Sequence, residues 1–401
     1  MAPVATTDSS SSSNGAANGI AQRKAEARVL INPFYSPDSS ADDKDDNYPY
    51  AQYKPKFPDV HWAPLEEFPV TDRGLRADPS KKNLLSAATK IKHLTPAIGT
   101  ILKGVDLRQL SEAQKDELAL LVAERGVVFF RDQEIDIHGQ LDLARHFGRL
   151  HKHATTPIPR NGLEEVHVVY NDHARKPDPQ AFSKLELWHT DVSYELQPPG
   201  TTSLKVITGP EFGGDTLWSS GYAVYSSLSP GFQKYLEGLT ALHSAVAQAE
   251  GSRAAGLTVR REPIESVHPV VRVHPVTGWK SVYVNHGFTR RIIGVPKAES
   301  NAILQFLFHQ FSENPDFQAR FHWKPNSVAI WDNRVVNHTA TFDFWPQTRH
   351  ALRATPHGER PISVADFEAQ TGRQAQDRLV ALNLADNQAK DTGNGPKTYN
   401  D

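Results

Sequence analysis

Hydrophobic and polar positions divide this chain into a middle that reads as folded and two ends that do not. Residues 1 to about 25 are Ser, Ala, Gly and Asn in low-complexity order, too polar to offset the entropy lost on folding, and they read as a disordered tail. Residues 26–90 carry motifs rich in Pro, Asp and Tyr, such as Asn32-Pro-Phe-Tyr-Ser-Pro37 and Tyr48-Pro-Tyr-Ala-Gln-Tyr53. They read as an extended N-terminal arm that drapes over the body or forms a subunit contact. After about Gly372 the composition turns polar again, so 363–401 reads as a polar C-terminal tail and 91–362 as the working domain.

Within that domain the hydrophobic period alternates between helical and strand-like. Ser111 with Gln114 predicts a capping box opening a helix that runs to Gly126, with Leu118, Leu121 and Val122 on one face. A strand, Val127-Val-Phe-Phe130, follows, then a second helix over about Ile137–Phe147 ending at Gly148. Beyond it, short alternating strands are punctuated by Pro198-Pro-Gly200, Gly213-Gly214 and Pro275-Val-Thr-Gly278. Ser244 to about Glu262 reads as a mobile insertion between strands, and a further helix is predicted over about Lys297–Ser312. Two helices flanking many short strands favour a mainly β fold, a double-stranded β-helix or jelly roll, over a parallel α/β sheet.

Composition narrows the function classes. In 401 residues, 44 basic and 46 acidic side chains give a net charge of −2, which argues against a nucleic-acid footprint. The chain has no cysteine and one methionine, so disulfides, thiolate metal ligands and a cysteine nucleophile are excluded and a reducing compartment fits. No run of about 18 apolar residues marks a membrane span. Asp8 precedes the first basic residue, Arg23, against the pattern of an organellar presequence, and the expected location is the cytoplasm.

The candidate chemistry lies in three segments. In Lys184-Leu-Glu-Leu-Trp-His-Thr-Asp-Val-Ser193 a strand period of two would put Leu185, Leu187, His189 and Asp191 on one inward face. Ser327-Val-Ala-Ile-Trp331 reads as a buried strand running into Asp332-Asn-Arg and then His338, and Arg349 and Arg353 share a strand face around the small Ala351. Two imidazoles and a carboxylate leave half an octahedron open, the ligand set of non-heme Fe(II) oxygenases. The paired arginines call for anions, because a guanidinium forks two carboxylate oxygens at once. Taken singly, His189 also reads as a buried histidine bonded to a nearby carboxylate, His338 as an ordinary core or surface histidine, and the arginines as structural ion-pair partners.

The order His189-Thr-Asp191, Gly213-Gly-Asp-Thr216-Leu-Trp, Val284-Asn-x-Gly-Phe-Thr289, Trp331-Asp-Asn-Arg, then His338 with Arg349 and Arg353, resembles the TauD/TfdA family of taurine dioxygenase-like 2-oxoglutarate oxygenases. The resemblance spans about Leu94 to Pro361 and is nearest to fungal sulfonate dioxygenases, which carry an N-terminal extension. It implies His189, Asp191 and His338 as iron ligands, Thr216 and Arg349 as the grip on 2-oxoglutarate, and Arg353 nearer the metal, touching co-substrate and the anionic head of the substrate. Leu150-His151-Lys-His153 resembles a substrate-contacting segment, which would make His153, together with Val192, a substrate contact. Leu185 and Thr156 stand where taurine enzymes place polar side chains, so a sulfonate or sulfate ester with a more apolar tail is expected rather than taurine. Fe(II), 2-oxoglutarate and O₂ are the implied cofactor and co-substrates, and a homo-oligomer is the implied assembly. The competing readings are the same chemistry on a carboxylate, and a non-catalytic jelly-roll binding module.

Overall fold

The computed structural model describes residues 47–174, 176 and 183–384. The expected disordered tail, the first part of the arm and residues 385–401 lie outside the described residues. Among the described residues, ten strands build the two sheets that frame the site. These are β1 (Lys90–His93), β2 (Thr100–Lys103), β3 (Val127–Phe130), β4 (Val166–Asn171), β5 (Thr201–Thr208), β6 (Thr216–Ser220), β7 (Gln318–Phe321), β8 (Ser327–Asp332), β9 (Val336–Ala340) and β10 (Arg349–Ala354). One sheet has the order β1-β2-β3-β8-β5-β10-β4, antiparallel throughout except between β2 and β3, and the other has the order β7-β6-β9.

A period of two sorts each strand between two cores. Val127, Phe129, Ala329 and Trp331 face the smaller sheet and meet Trp218, Phe321 and Val336, with Phe129 stacked on Phe321 at 4.1 Å between ring centroids. Their alternates, Val128, Phe130, Val328 and Ile330, face outward onto helix α1 (Glu112–Arg125), where Leu118, Leu121 and Val122 cover them. Each fully buried aliphatic or aromatic side chain contributes about 1.5–3 kcal/mol. The two-sheet jelly roll therefore has an apolar filling between its sheets and a second apolar layer beneath the helices. The capping box at Ser111 and Gln114 opens α1, and Gly126, at φ 71°, closes it where a Cβ would come within 2.9 Å of Val336. Helix α2 (Ile137–Phe147) lies where its periodicity predicts it and ends at Gly148.

Two expectations need correction, and a third gains detail. Residues 184–193 form turns rather than a strand: Val192 takes φ 37°, which breaks the extended backbone, and the segment's ladder contact is a single bridge from His189 to His338. The stretch expected to be an insertion lies between two strands, Thr240–Ser244 and Glu265–Pro269, and contains helix α3 (Val246–Ala254), followed by Leu257, Val259 and a completely buried Arg260. The segment expected to be a polar tail from 363 carries helical structure in its described part. After α4 (Lys297–Glu313), helix α5 (Val364–Thr371) docks Val364 and Phe367, three residues apart on one face, into an apolar cluster with Leu307 and Phe311.

The arm is fastened along its described length. Pro55–Lys56 pairs with Ile158–Pro159, the backbone of Phe68 exchanges two hydrogen bonds with the side chain of Gln197 (2.9 and 2.7 Å), and Asp72 pairs with the buried Arg334. None of the described helices is long and apolar enough to cross a membrane.

Candidate active site

The smaller sheet and the turn at 184–193 bring the triad together. His338 sits on β9, and its backbone exchanges two hydrogen bonds with His189 (2.8 and 3.0 Å). Asp191 follows two residues later. One ligand atom from each of His189, Asp191 and His338 lies within 4.8 Å of the others. His189 donates from Nδ1 to the Leu187 carbonyl (2.8 Å), which leaves Nε2 facing Asp191 Oδ1 at 3.6 Å, and His338 Nε2 stands at the same distance.

The charge states suit a metal. Burial disfavours the Asp191 carboxylate, but Arg353 and then His338 outweigh it and hold the group well below the usual carboxylate range. Burial, with His189 adding to it, pushes His338 well below the usual imidazole value, so it is neutral as a ligand must be. Asp191 Oδ2 accepts from Thr202 Oγ1 (2.9 Å), which accepts from Asn333 Nδ2 (2.8 Å), and Asn333 Oδ1 accepts from Trp331 Nε1 (3.0 Å). Oδ1 accepts from Arg353 Nη1 at 2.6 Å. An ionised carboxylate and two imidazoles converging from one side, with a cavity on the other, fit a metal that keeps open positions.

All eight candidate residues line that one cavity, which measures about 230 Å³. At one end Arg349, buried on β10, donates from Nε to the Gly214 carbonyl (3.1 Å) and reaches Thr216 Oγ1 at 3.5 Å, while Trp323 Nε1 also donates to that hydroxyl (2.9 Å). Gly214 needs its lack of a side chain here: φ is +65°, and a Cβ would come 3.2 Å from Arg349 Cδ. At the other end are Arg353, His153 and Val192. The His153 Nδ1 accepts the backbone N–H groups of Thr155 and Thr156 (3.2 and 3.3 Å), which puts its proton on Nε2. Burial, with His167 and His151 close by, pushes its pKa well down, so it is a neutral donor.

Three further residues did not emerge from the sequence, and a fourth, Asn333, appeared there only within the motif Trp331-Asp-Asn-Arg. Thr202 and Asn333 support Asp191. His167, the cross-strand partner of Arg353, lines the cavity, and its buried Nδ1 has no partner among the described residues. Phe57 brings the arm into the cavity wall. For His167 a signal existed, since alternation along β4 sets it on the face opposite Val166 and Val168. For Thr202 and Phe57 there was none.

With this geometry in view, comparisons with known proteins are informative. Residues 90–355 match the model of the family described as "Taurine catabolism dioxygenase TauD, TfdA family". A Saccharomyces cerevisiae alpha-ketoglutarate-dependent sulfonate dioxygenase is 42% identical over 334 residues, covering 79% of this chain and 80% of the relative. The alpha-ketoglutarate-dependent dioxygenase cnsP of Penicillium expansum is 44% identical over 326 residues, 77% of this chain and 88% of that one. The crystal structure of a taurine dioxygenase from Burkholderia xenovorans superposes with a TM-score of 0.58 at 31% identity, covering 69% of this chain and 93% of its own.

Proposed function

The chain belongs to the TauD/TfdA family of Fe(II)- and 2-oxoglutarate-dependent dioxygenases, and from that membership we propose that it hydroxylates an alkyl sulfonate at the carbon bearing sulfur. The hydroxylated product expels sulfite and leaves an aldehyde, with succinate and CO₂ formed from the co-substrate. The observation that carries the reading is one cavity lined both by a His-Asp-His triad, with Asp191 and His338 buried and His189 partly exposed to the cavity, and by two buried arginines, Arg349 and Arg353. Such a site has separate anchors for a dicarboxylate and for a second anion.

The roles are those the family resemblance implies, and the positions support them. His189, Asp191 and His338 would hold Fe(II), which supplies the redox chemistry that couples O₂ and 2-oxoglutarate to substrate oxidation. Arg349 and the Thr216 hydroxyl grip the distal carboxylate of 2-oxoglutarate. Arg353 uses one N–H on Asp191 and keeps its Nε, which has no partner among the described residues, for an anion. The His153 Nε2–H adds a neutral donor to the same head group, and Val192 forms the adjacent wall. These groups fix which carbon faces the metal, and that positioning decides the product. A cytoplasmic location, supported by the absence of cysteine, and a homo-oligomeric assembly, supported by the family resemblance, accompany this reading.

The test is anaerobic reconstitution with Fe(II) and 2-oxoglutarate, then O₂ with matched alkyl sulfonates, alkyl sulfates and carboxylates, measuring succinate and sulfite together. Sulfite in step with succinate supports the sulfonate reading. Succinate formed only with sulfates or carboxylates would refute it and reassign the head group.

A further inference from the structure

The end of the cavity beyond Arg353 and His153 is walled by segments outside the jelly roll. Phe57 comes from the arm, Gln248 and Ser252 from α3, and Leu257 from the segment after it. Three contacts clamp arm and insertion together. Thr258 Oγ1 donates to Asp59 Oδ1 (2.8 Å), Trp62 N to the Arg260 carbonyl (2.6 Å), and Arg261 Nε to the Ala63 carbonyl (3.3 Å). The guanidinium carbons of Arg260 and Arg261 lie 5.1 and 5.6 Å from the Trp62 ring centroid, within cation–π range. Arg260 also donates to the carbonyls of His153 and Thr156. A single buried side chain thus ties the loop carrying His153 to the element that meets the arm.

The wall so formed is apolar or neutral. Phe57, Leu257 and Thr156 offer no charge, and Gln248 and Ser252 offer uncharged polarity. The carboxylates that line this cavity are Asp191, paired with Arg353, and Glu186, on the turn that carries the triad; the arm and insertion residues that line it bring none, so their part of the wall suits an apolar tail better than an ammonium. We propose that the arm is part of the substrate site and that Phe57 is a specificity-determining residue, closing the cavity against an uncharged apolar tail and setting its length. The inference rests on the proposed reading of the site as one for a small molecule with an anionic head.

The test uses the full chain and a series of unbranched C2 to C8 substrates with sulfonate, sulfate or carboxylate heads, on the wild type, Phe57→Ala and Phe57→Trp. In the wild type, kcat/KM rises with chain length and then breaks. Phe57→Ala moves the break two or three carbons further out and Phe57→Trp moves it inward. Each additional covered methylene is expected to give about fourfold in kcat/KM, the factor corresponding to ~0.8 kcal/mol per buried CH₂. The KM for 2-oxoglutarate stays within twofold, because Arg349 and Thr216 lie at the opposite end. An unchanged break in both variants overturns the inference.

Head group and tail length report separately. If carboxylates are turned over and sulfonates are not, the proposed substrate class fails, while a shifted break still supports the role of Phe57. If no head is turned over, anaerobic calorimetry of the same series on the Fe(II)- and 2-oxoglutarate-loaded enzyme gives the tail profile. A profile indifferent to residue 57, or no binding at all, overturns the inference.

Discussion

Thr202→Val replaces a hydroxyl by a methyl of nearly the same shape at a fully buried position on β5, and it tests whether the support of Asp191 matters to the metal. The hydroxyl donates to Asp191 Oδ2 at 2.9 Å and accepts from Asn333 Nδ2 at 2.8 Å. Its loss leaves a buried carboxylate oxygen without that donor and a buried amide without its acceptor. A hydrogen bond to a charged group contributes about 1.5–3 kcal/mol. At about 1.4 kcal/mol per factor of ten, metal affinity should fall by about 10- to 100-fold, the range found for groups that orient metal ligands. The assay is anaerobic calorimetric titration with Fe(II), alongside the unfolding midpoint of the metal-free chain. Thr202→Ser, which keeps the hydroxyl, should recover most of the affinity. A Thr202→Val protein of normal stability that binds Fe(II) as tightly as the wild type would refute the reasoning and leave Arg353 as the group that orients Asp191.

Further outcomes are expected. Asp191→Ala should abolish turnover and weaken Fe(II) binding, and near-normal activity would rule out the triad. Arg349→Ala should raise the KM for 2-oxoglutarate by about two to three and a half orders of magnitude, since losing a buried charged partner costs roughly 3–5 kcal/mol. An unchanged KM would move the co-substrate grip elsewhere. Burial holds His350 down at about 3 and His268 and His357 at about 4. As pH falls from 6.5 towards 4, the unfolded chain takes up protons that the folded chain refuses. Stability is therefore full above the unfolded value and falls through that window, by up to about 1.4 kcal/mol per pH unit for each histidine. Urea midpoints at pH 7.0 and 5.5, a span above the ordinary carboxylate range, measure this, and equal midpoints would contradict it.

What the sequence revealed depended on whether its signals were local. The capping box at Ser111, the helix-ending glycines 126 and 148 and the alternation of Val127–Phe130 act over a few residues, so the elements they mark are present. The segment 184–193 alternates as a strand does, but its backbone is set by the bridge to His338 and the positive φ at Val192, partners about 150 residues away or invisible to periodicity. Thr202 was illegible for a related reason. β5 is buried on both faces from Thr201 to Ile207, so no alternation marks which side chains meet the site. The insertion and the C-terminal segment look polar in composition, yet Leu257, Arg260, Val364 and Phe367 are buried, because a few well-placed residues suffice to dock a short helix. The arm gave no sign of its partners, which lie at residues 158, 197, 258–261 and 334.

The clamp between arm and insertion has an evolutionary consequence. His338, Thr216, Arg349 and Arg353 are fixed by the ladders of β6, β9 and β10, where a slip of one residue would turn every side chain to the opposite face. Phe57 follows the short two-residue ladder at Pro55–Lys56, and Gln248 and Leu257 belong to a segment between strands, so their side chains can change without disturbing the two sheets that hold the iron ligands. The oxidising end and the selecting end can therefore diverge at different rates. A lineage can exchange one anionic substrate for another by rebuilding the arm and the insertion while the iron ligands stay in place.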